Sequence, residues 1–209
     1  NILTSLEKNP GWNENMQRHS RQWINAIKSQ INWQSFPNQH AAAIVTSASA
    51  LRILPTVVPS YGNPKKAGQG APFDNLQVSV LYPNLPIYIL HTTQDGAWGF
   101  VVTPDHSVGW VKMVDVANVN KKFQNQWVRK RYDYLSSGTD GAAIQSKNHQ
   151  FYFHSRIGQL YPLMHHHANS DEILIALRDM DGKAHIRTAR VSHKILHQLP
   201  LRATSENIA

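Results

Sequence analysis

The spacing of apolar and polar positions changes character along the chain. Between Leu51 and Val116, short runs of β-branched and aromatic residues occur at Leu76 to Tyr82, Pro86 to Leu90, Trp98 to Val102 and Trp110 to Val114. Clusters of Pro, Gly, Asn and Asp separate them, which is the pattern of a meander of short strands. The stretch therefore predicts a compact all-β barrel with no helix in it. Asp95-Gly96 lies between two of the runs and supplies the positive-φ positions of a tight hairpin. Trp98 and Trp110 are expected in the core.

Upstream the period lengthens. From Met16 to Ile31 the apolar residues Trp23, Ile24, Ile27 and Ile31 fall near helical spacing among basic and amide side chains. An amphipathic helix is predicted there, with Asn13 as a candidate cap. Pro10-Gly11 and Ser35-Phe36-Pro37-Asn38 interrupt regular structure on either side. Downstream, Lys121 to Arg131 reads as a basic linker, helical or extended. Three β-like runs follow: Tyr132 to Leu135, Phe151 to Leu163 with Gly158 inside it, and Glu172 to Val191 folded at Asp181-Gly182. In the last of these Ile173, Ile175 and Leu177 alternate with Leu174, Ala176 and Arg178. Ala184, Ile186 and Thr188 likewise alternate with His185, Arg187 and Ala189, so each strand is expected to turn one face to a core. This predicts a second, more divergent barrel.

Bulk properties narrow the possibilities. The 209 residues, 41% of them hydrophobic, suffice for one large or two small domains with real cores. No run reaches the about 18 apolar residues of a membrane span. No charged-then-apolar leader begins at Asn1, so no secretion signal is visible. With no cysteine, the chain has no disulfide, no thiolate metal ligand and no cysteine nucleophile. The net charge of +8 favours polyanions as a class. It is concentrated in one half: residues 51–119 hold four Lys/Arg and four Asp/Glu, whereas 120–209 hold thirteen against seven. A solvated basic surface is the plainest account of that excess.

Candidate catalytic and metal chemistry is sparse. A serine nucleophile on a G-x-S-x-G elbow and an H-E-x-x-H zinc motif are both absent from the sequence. His165-His166-His167 invites a metal reading, since in a strand His165 and His167 would share one face while His166 points away. The further candidates His149, His154, His185 and His193 stand at no recognisable ligand spacing. A histidine-rich polar turn at a strand end is the expectation, and neither a metal nor a cofactor is assigned.

Four sequence words in order carry a resemblance: Leu51-Arg52-Ile53-Leu54-Pro55-Thr56, then Gly70-Ala71-Pro72-Phe73-Asp74-Asn75-Leu76-Gln77, then the hairpin from His91 to Trp98, then Gly109-Trp110-Val111. The stretch resembles the first bacterial SH3 domain of the NlpC/P60 cell-wall peptidases. The subgroup it resembles is the one in which a short N-terminal clip and two SH3-like domains precede a C-terminal cysteine peptidase. The resemblance implies a mainly β fold, with two SH3-like small β-barrels preceded by an N-terminal helical clip segment. Residues 1–45 would be the clip, 46–119 the first SH3-like domain and 120–200 the second. Residues 201–209 resemble the lead-in to the peptidase, so the chain would stop where catalysis begins. The parent activity implied is hydrolysis between D-glutamate and a diamino acid in peptidoglycan stem peptides. This chain would be its non-catalytic region, in the periplasm or cell envelope of a bacterium. Its implied partners are stem peptides and an NlpC/P60 catalytic domain in cis.

Small barrels of this kind shape a shallow groove for short peptides from the loops between their first strands. The excursion from Pro59 to Pro72, with Tyr61, Lys65, Lys66 and three glycines, is such a loop. Arg52, Tyr61, Asp74 and Gln77 are the candidate substrate-binding residues. Arg52 could fork onto a carboxylate, Asp74 could receive an ammonium or amide, and Gln77 can donate and accept. The plainer alternatives are that Asp74 closes a turn and that Arg52 is a surface strand residue. Two other functions compete: a stand-alone peptide- or protein-interaction module, and a nucleic-acid binder using the basic half with Trp127, Tyr132, Tyr134, Phe151 and Tyr152. The last is the weakest, because it rests on charge alone.

Overall fold

The computed structural model describes residues 2–128 and 134–198. The end of the expected basic linker at 129–131, the start of the run at Tyr132 and the lead-in at 201–209 lie outside the described residues. Helices α1 (Ile2–Lys8) and α2 (Arg21–Ile31) precede strands β1 (Ala41–Val45), β2 (Ser49–Arg52), β3 (Gln77–Leu81), β4 (Pro86–Thr92), β5 (Trp98–Val102), β6 (Val108–Lys112) and β7 (Val116–Asn118). Helix α3 (Lys121–Trp127) leads into β8 (Tyr134–Ser137), β9 (Ala143–Gln145), β10 (Phe151–His154), β11 (Leu160–His166), β12 (Ser170–Arg178), β13 (Ala184–Ser192) and β14 (Leu196–Gln198). The protein is mainly β, as expected. The strands make two seven-stranded sheets, ordered β3-β2-β6-β5-β4-β1-β7 and β10-β9-β13-β12-β11-β8-β14. The chain divides into two compact units, one of residues 1–43, 48–81 and 86–116, the other of 44–47, 82–85 and 117–209.

In the first unit the predicted helix starts later than its apolar spacing implied. Met16 has φ 58, a left-handed conformation that a continuing α-helix cannot pass through. Asn13 closes a turn of its own, its Oδ1 accepting from the backbones of Asn15 and Gln17 at 2.9 and 3.0 Å. The cap is Ser20, whose Oγ accepts from the Trp23 N–H at 3.1 Å. Helix α2 then buries Ile24, Ile27 and Ile31 against Leu3 and Leu6 of α1 and against Leu54, Leu76 and Trp110. Burying each such side chain contributes about 1.5–3 kcal/mol. Trp110 is 1% exposed and Trp98 packs at the edge of the same cluster, as expected of both.

The β4–β5 hairpin turns at Gly96, φ 67. Asp95 Oδ1 accepts from Thr93 Oγ1 at 2.6 Å and from the Ala97 N–H at 3.0 Å. These hydrogen bonds hold the Asp95 carboxyl below the usual carboxylate range. A register shift between Ile89 and His91 interrupts the pairing of β4 with β5. His91 is fully buried, and its ring joins three segments. Nε2 donates to the Ile31 carbonyl at the end of α2 over 2.6 Å, and Nδ1 accepts from the Asn38 N–H at 3.3 Å. Trp33, Phe36 and Trp110 pack around it, and Phe100, its register partner on β5, packs on Trp110.

The second unit departs from its expected patterning. Strand β12 is buried on both faces, not one. Ile173 and Ile175 join Leu135, Ile144, Tyr161, Ala189 and Val191, whereas Leu174 and Ala176 face Ile44, Ala117, Phe123 and Trp127. A strand inside two layers shows a continuous apolar run instead of an alternation. In β13 the fully buried residues are Ala189 and Val191, while Ala184 and Ile186 only border the other cluster. The run from Phe151 to Leu163 is two strands, because Gly158 (φ 80) turns the chain between them. Helix α3 is capped by Asn120, whose Oδ1 accepts from the Phe123 N–H at 2.8 Å. Its buried face stacks Phe123 on Trp127.

Tyr161 is fully buried, and its hydroxyl has no hydrogen-bond partner among the described residues. Burial pushes that phenol far above its ordinary pKa. A buried donor without a partner costs about 1–3 kcal/mol. Tyr161→Phe is therefore expected to leave the fold as stable or to raise its urea midpoint. A marked fall in that midpoint would show that the hydroxyl is satisfied.

Candidate functional site

The loop from Pro59 to Leu76 is organised around one carboxylate. Asp74 Oδ1 accepts from the backbone N–H of Ser60 and of Leu76, both at 2.9 Å, so one side chain ties the two ends of the loop together. Its Oδ2 lies 2.9 Å from Arg52 Nη1. Arg52 also reaches Gln77 Oε1 at 3.3 Å through Nη1 and the Val58 carbonyl at 3.2 Å through Nη2. Gln77 Nε2 donates to the Ser79 carbonyl. Arg52 is 6% exposed, so it is not a surface strand residue. The carboxylate opposite its guanidinium is Asp74, in place of one brought by a ligand, and Asp74 in turn closes the turn. Three of the four candidate residues are thus brought together as one network behind the loop.

Tyr61, the fourth, stands on the outer side. It forms an antiparallel bridge with Trp12 of the N-terminal segment, with Tyr61 N–H to Trp12 O at 2.8 Å and Trp12 N–H to Tyr61 O at 3.0 Å. A Cβ on Gly11 would collide with Ser60 Oγ, so the two segments meet this closely only with glycine at that position. The Arg18 guanidinium lies over the Trp12 ring, 5.2 Å from its centroid. Between the segments runs a groove of about 420 Å³, bordered by Trp12, Arg18, Tyr61, Lys66, Gln69 and Asn75 among others. Its lining includes two cationic side chains and no carboxylate. Trp12 and Arg18 went unnoticed in the sequence because only a Pro-Gly turn marks their segment. Nothing in their spacing ties them to a loop some fifty residues on.

His19 links the segment to the loop from below. It is 6% exposed and stacks on Trp23 at 3.8 Å between ring centroids. Burial holds the imidazole below its ordinary 6.5, while a hydrogen bond to the Pro59 backbone and the charge of Asp74 pull the other way.

The second unit has its own groove, of about 640 Å³, bordered by Lys122, Lys183, His185 and Arg187. Among the described residues, none of the aromatics that motivated a nucleic-acid reading lines it. Trp127 is buried, the Tyr134 hydroxyl donates to the Trp127 carbonyl at 3.2 Å, and Tyr152 packs on the core. Tyr132 lies outside the described residues.

Residues 59–112 match the family profile of the SH3 domain (SH3b1 type), and this part of the chain is a domain of that type. A solved NlpC/P60 endopeptidase from Photobacterium damselae subsp. piscicida is similar to the chain, with 26% identity and a TM-score of 0.83. The similarity covers 100% of this chain and 45% of that one. An NlpC/P60 family protein from Bacillus cereus ATCC 10987 shares the fold, with 14% identity and a TM-score of 0.51 over 76% of this chain and 56% of that one. No curated protein matches. The chain therefore spans less than half the length of the Photobacterium enzyme it resembles.

Two outcomes are expected. Asp74→Ala strands a buried guanidinium and two backbone donors, and should lower unfolding free energy by about 3–5 kcal/mol, with Asp74→Asn falling between it and the parent. Equal urea midpoints for all three would contradict the network. His19 should make stability pH-dependent. Below about pH 6.5 the unfolded chain binds a proton that the folded one resists, so its contribution is whole above 6.5 and is lost as pH falls toward the depressed folded value. Urea midpoints of parent and His19→Phe, compared at pH 7.5 and pH 5, should show the smaller acid loss in the variant.

Proposed function

We propose that this chain is the non-catalytic, wall-recognising region of a bacterial NlpC/P60 endopeptidase, and that the groove of its first unit receives a peptidoglycan stem peptide. The observation that carries the reading is the groove's lining: two aromatic rings, Trp12 and Tyr61, beside Arg18 and Lys66, with no acidic side chain. A stem peptide offers the complement, a short extended backbone bearing free carboxylates. Arg18 and Lys66 meet those carboxylates, Tyr61 and Trp12 cover the backbone and aliphatic atoms, and the amides of Gln69 and Asn75 pair with peptide groups. Arg52, Asp74 and Gln77 take part by holding the loop that carries Tyr61.

On this reading the chemistry belongs to a catalytic domain in cis that cleaves between D-glutamate and a diamino acid. The present residues decide which peptide ends reach it. Without cysteine this chain cannot run that hydrolysis through a thiolate. The setting is the periplasm or cell envelope. Similarity to the Photobacterium endopeptidase over the whole of this chain supports the assignment.

Binding to purified sacculi, competed with soluble stem peptides, tests the proposal. The parent chain should bind and be displaced by millimolar peptide at moderate salt. Tyr61→Ala and the pair Arg18→Ala with Lys66→Ala should each weaken binding at least about tenfold, the scale of a lost anchor or charge-assisted contact, with unchanged circular dichroism. Binding that ignores soluble peptide, or survives all three substitutions, would overturn it.

A further inference from the structure

We propose that the second unit carries a divalent transition-metal site formed by His166, Asp171 and His193, independent of the groove in the first unit. The three residues come from adjacent parts of one sheet. His166 at the end of β11 pairs directly with Asp171 at the start of β12, and Asp171 pairs in turn with Val191 of β13. His193 follows two residues after Val191. Directly opposed residues share a face of the sheet, so the pairing delivers the three side chains to one place.

The distances suit coordination. His166 Nδ1 lies 2.6 Å and His193 Nε2 3.2 Å from the same atom, Asp171 Oδ1, and one ligand atom from each residue lies within 4.8 Å of the others. Nitrogen and oxygen ligands on a tetrahedral zinc at 2.0–2.1 Å stand about 3.3 Å apart. The His193 separation already has that value, and His166 needs to withdraw by about 0.7 Å to reach it. Its imidazole is free to do so, since the side chain is 59% exposed. Asp171, by contrast, is 3% exposed and fixed within the sheet. A buried carboxylate facing two accessible imidazoles gives a rigid base with two adjustable arms. Two nitrogens and one carboxylate oxygen form a donor set for Zn²⁺, Co²⁺, Ni²⁺ or Fe²⁺. A fourth position stays open to water or to a ligand's carboxylate.

The grouping differs from the one expected of the histidine run. A register shift between Leu163 and His165 interrupts the simple alternation. His165 comes to lie opposite Glu172, and His167 Nε2 is 3.8 Å from Glu172 Oε2. It is His166, assigned to the opposite face by alternation, that meets a carboxylate and a second imidazole. This makes the site separable from adventitious capture by consecutive histidines.

Titration calorimetry of the full chain, stripped with chelator, with Zn²⁺ and separately with Co²⁺, tests the site. One equivalent should bind, Co²⁺ should develop visible absorption of a mixed nitrogen and oxygen site, and the melting temperature should rise with metal. His193→Ala should weaken binding at least about tenfold, His193→Cys should restore it for Zn²⁺, and His165→Ala should leave it unchanged. Circular dichroism without metal checks that the variants fold. Loss of binding on His165→Ala but not on His193→Ala, or no stoichiometric binding by the parent, would overturn the proposal.

Discussion

The Asp74 carboxylate is the point on which the loop and groove of the first unit depend. A long loop closes at an entropic cost that grows slowly with its length, so it needs only a firm closure at its base to be well placed. Asp74 provides that closure with two backbone N–H groups, one from each side of the excursion, and a guanidinium from β2. An ion pair this buried is marginal by itself, because removing both charges from water costs about as much as their attraction returns. What offsets that cost is the set of further partners: Gln77 and the Val58 carbonyl take up the two Nη groups of Arg52, leaving its buried Nε without a partner among the described residues, and two amides occupy Asp74. The Leu-Arg and Phe-Asp-Asn-Leu-Gln words, far apart in sequence, belong together for this reason.

A closed loop is still only half a groove. The other wall comes from the N-terminal segment, which approaches the loop as a strand would, through the paired hydrogen bonds of Trp12 and Tyr61. That approach requires Gly11, where any Cβ would strike Ser60. It also requires the helices behind it to be anchored, and α1 and α2 do this by sharing a core with Leu54, Leu76 and Trp110. The N-terminal segment therefore contributes both hydrophobic support and one wall of the groove. On the proposed function, peptide recognition and docking of the N-terminal segment would be physically one arrangement in this unit.

How much of this was legible depends on whether the determinant was local. The strand Trp98–Val102, the turns at Gly96 and Gly182 and the burial of Trp110 all follow from short-range patterns, and the structure has them as expected. Helix α2 was visible in its apolar stripe. Its start was not, because the left-handed conformation of Met16 leaves no mark in hydrophobic periodicity. Of the four candidate residues, Arg52, Asp74 and Gln77 lie together, an arrangement the sequence does not reveal. A charged pair such as Arg52 and Asp74 looks the same in sequence whether each faces a ligand or the other. Trp12 and Arg18 were invisible for a related reason, since their relevance arises only from a bridge across the fold.

The second unit shows the same limit more sharply. Strand β12 reads as an alternating strand, yet it is buried on both sides, and part of its backbone is satisfied by a side chain. Asn84, with φ 72, uses its amide to accept from the Ala176 N–H at 3.0 Å and to donate to the Leu174 carbonyl at 3.5 Å. The pairing of β11 with β12 covers Ile173, Glu172 and Asp171, and the asparagine meets the strand just beyond it. A polar residue in a turn thus does the work of a neighbouring strand, which hydropathy cannot show. The same register shift in β11 that ends the simple alternation also sets His166 opposite Asp171. In this unit the irregularities of the sheet, more than its regular ladder, determine which polar groups meet.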